Sequence, residues 1–381
     1  MQQLSSAIIG GWRRGARRWV THDRRRWRGI GPRHRRDLTL GGMRLRQAIV
    51  YGAVVTALVP MSGCSTKVPD RRADVDRLSA QLGSMPGVTA AHADYANRWS
   101  EGAVMFTVHV DVADSLTADD LAAIVDTYLR NLASGRYRDY HAELDVRRGW
   151  NIFAVDSSGR PLTNAAQILD QARSWIALRA MLPGATVALR STISHQAAGL
   201  TRRETDSSNL ADIDLPENAH GVGIASAVST IAAHFPYLAV LNWSVSAAHA
   251  QDRIAFTGRF PTPAELDVWR QLTSDQTIAH TDSMQINGPV TPPVWLSEAI
   301  GTDVLEAALA LANRHLPLAA RLPAPVLYTA GSQLSGHIGG YGVSRGPVAI
   351  TIGGCTRRDL RVYQPTAGER ALIDRYENCR R

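Results

Sequence analysis

The sequence predicts an α+β fold in which duplicated helix-strand-strand-helix units form antiparallel sheets with helices on one face. Three observations predict it: a helix-proline-strand pattern that occurs four times, a capping box that occurs three times, and a polar stretch near the middle of the chain. The strands alternate apolar and polar residues, so the helices are expected to cover their apolar side. The polar stretch is predicted to separate two domains.

The helix-proline-strand pattern is a helix-like segment, an apolar residue followed by proline, and then a strand. Proline cannot continue the hydrogen-bond ladder of a helix, so each of these prolines is predicted to end one. The four junctions are Met85-Pro86-Gly87, Leu182-Pro183-Gly184, Phe235-Pro236-Tyr237 and Leu316-Pro317-Leu318. Strands are predicted to follow the first three junctions at residues 88–97, 186–194 and 238–247.

The capping boxes are a threonine followed three residues later by an acidic residue, a spacing that opens a helix because each side chain bonds the other's backbone N–H. The three boxes are Thr117…Asp120, Thr262…Glu265 and Thr366…Glu369. In the second box, Pro263 stands at the first helical position, where proline is favoured. Helices are therefore predicted to begin just after each threonine.

Together the two patterns predict four units and two domains. The units span residues 70–135, 163–204, 217–275 and 295–381, and the second of them has no evident closing helix. The polar stretch places a linker at residues 205–218. The expected domains are a first α+β domain at residues 71–204 and a second at residues 219–381.

The positive charge of the chain is confined to its N-terminal stretch. The formal net charge is +8, but residues 1–46 contain thirteen arginines and two aspartates, which amount to +11. Subtracting +11 from +8 leaves −3 for residues 47–381. The rest of the chain therefore lacks the basic patch that nucleic-acid binding requires, and no nucleic-acid partner is expected.

A short apolar segment with a basic start precedes Cys64. Arg44 and Arg46 are followed by an uncharged, mostly apolar run at residues 48–59, which is the length of a signal-peptide core and too short to span a bilayer comfortably. The segment Met61-Ser62-Gly63-Cys64 then resembles the lipobox of bacterial lipoproteins, with methionine where leucine is usual. This resemblance implies a signal peptide at residues 43–63 and lipidation of Cys64.

The lipoprotein resemblance also implies where the protein works. Acyl chains on Cys64 would anchor it to the cell membrane on the extracytoplasmic face, with residues 64–70 as a tether. The basic stretch at residues 1–42 is then interpreted as an over-called translation start, with Met43 as the true one. The alternative is a cytoplasmic arm that binds nucleic acid or a membrane surface.

The other two cysteines are Cys355 and Cys379. If Cys64 carries lipid, these two are left to form one disulfide, which an oxidising compartment favours. Two buried free thiols are the alternative. A disulfide here would close a short loop near the C-terminus.

Three predicted strands each carry a histidine and an acidic residue two positions apart, on the side opposite their apolar residues. The pairs are His92 and Asp94, His109 and Asp111, and His141 and Glu143. Imidazole and carboxylate are good ligands for divalent metals, so His92, His109 and His141 are candidate metal ligands. His109, Asp111, His141 and Glu143 are candidate catalytic residues. The alternative is a polar sheet face covered by solvent or a partner.

No pattern in the sequence assigns an activity. The glycine-rich segment at residues 336–346 lacks the lysine and spacing of a phosphate-binding loop, and no H-E-x-x-H, C-x-x-C or Rossmann signature is present. No cofactor is predicted, and Trp175, Trp243 and Trp269 are interpreted as core residues. The leading hypothesis is a non-catalytic binding or scaffolding lipoprotein, whose partner is an envelope protein, peptidoglycan or a small ligand. A metal-assisted hydrolase built on the His/acid face is the alternative.

Overall fold

The computed structural model describes residues 68–98, 103–157, 164–192, 194–197, 200–203, 209–216, 218–247, 252–288, 290, 292–334, 336–339 and 342–379. The basic stretch at residues 1–42, the signal peptide at residues 43–63 and Cys64 lie outside these residues. The predictions made for them therefore stay predictions.

The described part of the chain contains seven α-helices and sixteen strands. The helices are α1 (Arg72–Gly83), α2 (Ala118–Ala133), α3 (Ala165–Met181), α4 (Gly221–His234), α5 (Pro263–Ser274), α6 (Leu305–Ala319) and α7 (Ala367–Tyr376). The strands of the first half are β1 (Val88–Arg98), β2 (Ala103–Val112), β3 (His141–Arg148), β4 (Asn151–Ser157), β5 (Thr186–Thr192), β6 (Ser194–Ala197), β7 (Leu200–Arg203) and β8 (Leu210–Leu215). Those of the second half are β9 (Asn242–Ala247), β10 (Arg253–Thr257), β11 (His280–Ile286), β12 (Val294–Ile300), β13 (Val326–Gly331), β14 (Val343–Ser344), β15 (Ala349–Ile352) and β16 (Arg357–Arg358).

Twelve of the strands form one mixed sheet in the order β1-β2-β3-β4-β5-β8-β9-β10-β11-β12-β13-β15. Antiparallel and parallel neighbours alternate strictly along it: six hairpin pairs are antiparallel, and the five pairs joined through a helix are parallel. The predicted helix-plus-strand composition is therefore confirmed. The sheet is mixed, because a strand reached through a helix can return in the same direction, as a tight hairpin cannot.

The helices pack on one face of this sheet and share a single hydrophobic core with it. In β2, Phe106, Val108 and Val110 are fully buried on that face. Burying a side chain of this size contributes about 1.5–3 kcal/mol, so the alternation of apolar residues fixes which face the helices cover. Trp175 and Trp269 are buried in the same core, as predicted, and their indole N–H groups donate to the carbonyls of Val187 and Gly221 at 3.0 and 2.7 Å.

All three predicted capping boxes form. The threonine side chains at 117, 262 and 366 accept from the backbone N–H three residues on, and each acidic side chain bonds back to the threonine. The predicted helix starts are thus confirmed.

At the start of α4, Gly221 allows a close approach to α5, since a Cβ there would lie 2.3 Å from the side chain of Thr273.

Three of the predicted helix and strand boundaries differ from the structure. Pro317 lies inside α6, which continues to Ala319, because a proline in the last turn removes only a late hydrogen bond. Residues Pro236–Val240 form a 3₁₀ helix, so the strand expected from residue 238 begins only at Asn242. The strand expected at residues 186–194 ends at Thr192.

The sheet continues through the predicted linker. Strand β8 lies inside residues 205–218 and pairs antiparallel with β5 and parallel with β9. Its buried residues Ala211, Ile213 and Leu215 alternate with more exposed ones, as in a half-buried strand. In the sequence this short alternation is hard to recognise, because a polar stretch precedes it. Residues 65–381 form one compact unit, so the stretches predicted as separate domains share one sheet.

Two further findings bear on anchoring and cross-linking. In the described part of the chain, no helix has both the length and the apolar character needed to cross a membrane. Cys355, after β15, and Cys379, after α7, are joined, with their Sγ atoms 2.04 Å apart. The predicted cysteine pair is therefore at disulfide distance.

Candidate functional site

The face of the sheet that carries no helices presents two of the three predicted His/acid pairs side by side. Strands β1, β2 and β3 are neighbours, and their register places His92 opposite His109, and His109 beside Asp145. The rings of the two histidines lie 4.8 Å apart between centroids. This face is called the open face below.

His109 lies between two carboxylates. Its Nδ1 is 3.3 Å from Oδ2 of Asp145, and its Nε2 is 3.4 Å from Oδ2 of Asp94. The Asp145 carboxylate raises the pKa of His109, against the opposing effect of burial. The pKa of Asp145 is lowered, because His109 and Arg147 stabilise its charge although it is buried. This arrangement favours an imidazolium at His109.

A second polar group lies on β3, β4 and β5. His141 Nε2 is 3.0 Å from Asp156 Oδ1, and Arg190 reaches Glu143 at 3.2 Å and Asp156 at 3.7 Å. Burial and the nearby Asp145 raise the pKa of Glu143 to about 7, although Arg190 opposes the shift. A carboxyl group with a pKa near neutrality has the property that general acid–base catalysis uses.

The structure therefore divides the predicted site residues. His92 and His109 come together, His141 and Glu143 belong to the neighbouring group, and Asp111 is exposed beside Arg147. Among the described residues, two groups of three or more potential ligands lie close enough to share an ion, and neither contains His92, His109 or His141. One of them consists of Cys355, Glu377 and Cys379, whose sulfurs are already bonded to each other.

The other group was not predicted and lies on the opposite, helix-covered face. It contains His280 on β11, Glu298 on β12 and His315 on α6, whose ligand atoms lie within 4.8 Å of one another. Asp282 faces Glu298 in the sheet register. The four residues, called the buried cluster below, are at most 8% exposed. His280 and Asp282 repeat the His-x-acid spacing of the open face, and that spacing was the signal that sequence reasoning overlooked.

Each histidine of the buried cluster has one nitrogen near a carboxylate and the other near a second acceptor. His280 Nε2 is 3.4 Å from Asp282 Oδ2, and its Nδ1 is 2.6 Å from the Ile278 carbonyl. His315 Nδ1 is 2.7 Å from Glu298 Oε1, and its Nε2 is 3.4 Å from Asp275 Oδ2.

Electrostatic effects in the buried cluster oppose one another. Burial disfavours the charged form of His280, but Asp282 and the Ile278 carbonyl outweigh it and raise the pKa of this imidazole to about 9. Burial raises the pKa of Glu298, although His315 and the Tyr328 hydroxyl, which donates to Glu298, stabilise its charge. The cluster is therefore a set of mutually dependent charges rather than independent titrating groups.

A half-open groove of about 570 Å³ lies beside the β3–β4 turn and the C-terminal end of α3. Trp150, on that turn, is 57% exposed, whereas the three predicted core tryptophans are buried. Arg148 pairs with Asp114, and the Arg179 guanidinium lies 4.4 Å from the ring centroid of Trp175. Burial and the neighbouring Arg148 lower the pKa of Arg179 to about 10.

The glycine-rich segment contains a serine pattern that resembles a hydrolase motif. Gly342-Val343-Ser344-Arg345-Gly346 fits G-x-S-x-G. However, Ser344 is 3% exposed on the short strand β14, and its hydroxyl donates to the Gly346 carbonyl at 3.2 Å. A nucleophile elbow requires an exposed serine between a strand and a helix, so this serine does not serve as one.

Comparison of the chain with protein families, curated proteins and solved structures finds no match.

We expect the stability of the protein to depend on pH through Glu143. Because its pKa in the folded protein is about 7, above the ordinary 4.5, its contribution to stability is complete below pH 4.5 and is lost as the pH rises through 7. Relative to Glu143→Gln, the wild type should lose on the order of 3 kcal/mol of unfolding free energy between these pH values. Urea denaturation at several pH values measures this difference.

The matched control for Glu143 is Glu306→Gln, because Glu306 is exposed at the start of α6. This variant should follow the pH profile of the wild type. Parallel profiles for the wild type and Glu143→Gln would contradict the assignment.

Proposed function

We propose that the protein is a lipid-anchored lipoprotein of the cell envelope whose part after Cys64 is a non-catalytic binding module. The lipobox resemblance and the slightly acidic charge of −3 after residue 46 support the location. The groove beside the β3–β4 turn is the observation that carries the binding role, because an exposed indole and two guanidinium groups line the same depression; Asp114 also lines it and pairs with Arg148, which leaves Arg179 as the guanidinium for a ligand.

The groove chemistry favours a carboxylated saccharide. An exposed indole offers a flat apolar surface on which a sugar ring can lie, and a guanidinium binds a carboxylate through parallel hydrogen bonds. Arg179 forms no ion pair with a carboxylate in the described part of the chain; it stacks on Trp175. A peptidoglycan fragment has both features, and we propose it as the ligand class. An envelope protein and an unrelated small ligand are the other outcomes that binding experiments test.

We further infer that the fold arose by duplication, with two halves of three units each, a unit being one helix and its following hairpin. The halves run from α1 to β8 and from α4 to β15. The support is the position of the two sequence patterns in each half. A proline junction lies at the end of the helix in the first and third units, with Pro317 inside the last turn of α6. A capping box opens the helix of the second unit. The hairpin of each third unit carries the insertion that contains β6–β7 or β14.

A metal-assisted hydrolase on the open face is the second candidate. The observation that favours it is the pairing of His109 with Asp145 and of His141 with Asp156, beside a Glu143 whose pKa is near 7. Such groups could position a water molecule and accept its proton.

The anchor is tested by the intact mass of protein extracted from membranes. We expect an N-terminal Cys64 that carries acyl chains, and we expect Cys64→Ala to abolish both the acylation and the membrane attachment. An unmodified chain that begins at Met1 would contradict the proposed location.

The groove is tested by calorimetric titration of the full chain with soluble peptidoglycan fragments. Trp150→Ala and Arg179→Gln should each weaken binding by roughly tenfold or more, because aromatic and arginine side chains dominate such contacts. Arg321→Gln is the control, since Arg321 is an exposed arginine outside the groove that pairs with Asp267. Unchanged affinity in both groove variants, or no binding by the wild type, would refute the proposed ligand class.

The two candidate functions are separated by the double variant His109→Ala/His141→Ala. If binding is the function, the variant keeps the metal content and fragment affinity of the wild type, because neither histidine lines the groove. A metal-dependent hydrolytic activity that the wild type has and the double variant lacks would instead establish the hydrolase.

A further inference from the structure

We propose that the buried cluster of His280, Asp282, Glu298 and His315 binds one divalent transition-metal ion of the Zn²⁺ class. The site is separate from the groove and from the open face, and it does not depend on the proposed binding function. The ligand atoms of His280, Glu298 and His315 lie within 4.8 Å of one another, and Asp282 Oδ2 lies 3.4 Å from His280 Nε2 as the proposed fourth ligand. Near-complete burial is the feature of a closed, structural metal site.

The hydrogen-bonding capacity of the two imidazoles is the first support. His280 Nδ1 lies 2.6 Å from the Ile278 carbonyl, which only accepts, so Nδ1 carries a proton. Nε2 then faces the Asp282 carboxylate, 3.4 Å away, a gap that either a second ring proton or a metal ion in its place can bridge. A backbone carbonyl on the other nitrogen is the usual support of a metal-binding histidine.

His315 is arranged in the same way. Its two nitrogens face carboxylates, Glu298 at 2.7 Å and Asp275 at 3.4 Å, and a neutral ring can donate to only one of them. The 2.7 Å contact is the better hydrogen bond, from Nδ1 to Glu298, so a metal ion bound at Nδ1 would displace that proton while Nε2 donates to Asp275. Tyr328 donates to the other oxygen of Glu298, so each of these two proposed ligands has a supporting partner behind it.

Unsatisfied atoms at the contact between His280 and Asp282 are a further support. Both carboxylate oxygens of Asp282 and the Nε2 of His280 are buried and lack a hydrogen-bond partner among the described residues. Asp282 is 2% exposed. A buried carboxylate normally finds hydrogen bonds or a cation, because leaving it without them costs several kcal/mol. These atoms point to a ligand that the protein itself does not supply.

One of the distances already suits a small cation. Ligand atoms bound tetrahedrally at about 2.0–2.2 Å are roughly 3.3–3.6 Å apart, and the His280–Asp282 separation is 3.4 Å. To admit the ion, His315 Nδ1 and Glu298 Oε1, now 2.7 Å apart, must separate by roughly 0.7 Å. The widest separation among the ligand atoms of His280, Glu298 and His315, 4.8 Å, must shorten by roughly 1.5 Å, so binding requires these side chains to move. Two imidazoles with two carboxylates favour zinc-like ions over magnesium or calcium, which prefer oxygen alone.

The fold does not require charges at this position. Asp282 and Glu298 face each other between β11 and β12, and the second unit of the first half has Ala142 facing Ser157 between β3 and β4. Both of those residues are fully buried without being ionisable. The same position in the architecture is therefore filled by small neutral side chains, which indicates a role for the charged cluster beyond packing.

Metal binding tests the proposal on the full chain, purified in detergent and stripped with a chelator. Equilibration with Zn²⁺ or Co²⁺ should give one ion per chain by mass spectrometry of the metal, and competition with a chromogenic chelator gives the affinity. His315→Gln and Asp282→Asn should weaken binding roughly 100-fold or more. Tyr328→Phe, which removes only the supporting hydroxyl, should weaken it roughly ten- to hundredfold.

His234→Ala is the matched control, because His234 is an exposed histidine at the C-terminal end of α4, and this variant should bind the ion as the wild type does. Circular dichroism and thermal unfolding show which variants are folded. Asp282→Asn preserves side-chain shape, so it keeps the test valid if His315→Gln does not fold. A folded wild type that takes up neither ion would overturn the proposal, as would unchanged affinity in Asp282→Asn. Either result would leave buried ion pairs as the explanation of the cluster.

Discussion

Every helix in the described part of the chain depends on one apolar surface, the face of the twelve-stranded sheet on which the side chains of alternate residues are buried. A helix contributes to stability here only by burying its apolar stripe on that surface, since helices of 10–17 residues are marginal by themselves. The sheet in turn keeps its register because a slip of one residue would move each apolar row to the open face. Helices and register therefore stabilise each other along the whole sheet.

That dependence explains which parts of the fold the sequence predicts well. Capping boxes are local, because Thr262 and Glu265 satisfy each other within one turn whatever the tertiary structure, and all three formed. Strand β8 is the contrary case. Its six residues gain their stability from β5 and β9, which lie far from it in sequence, so its short alternation resembled a polar linker. The continuation of α6 past Pro317 also depends on tertiary structure, because the buried side chains of His315 and Leu316 pack the last turn of the helix against the core.

The candidate sites show the same division. The His-x-acid spacing correctly identified residues that share a strand face, because alternation is a local property of strands. It could not decide which face they occupy. His109 lies on the open face between two carboxylates, whereas His280, with the same spacing to Asp282, is buried under the helices. Met284 and Ile286, further along β11, are buried on the side of His280, and only this longer pattern distinguishes the two cases.

The segment that follows β15 covers the C-terminal edge of the sheet. An edge strand leaves backbone N–H groups without strand partners, which favours unwanted pairing with other chains. Here the Val348 N–H donates to Glu369, and the Thr351 N–H donates to Glu377, both at 2.9 Å. Glu369 belongs to the capping box of α7, and Glu377 stands two residues before Cys379 of the disulfide. The helix and the disulfide therefore have a common effect, because together they hold two carboxylates against an edge that would otherwise be open to a further strand.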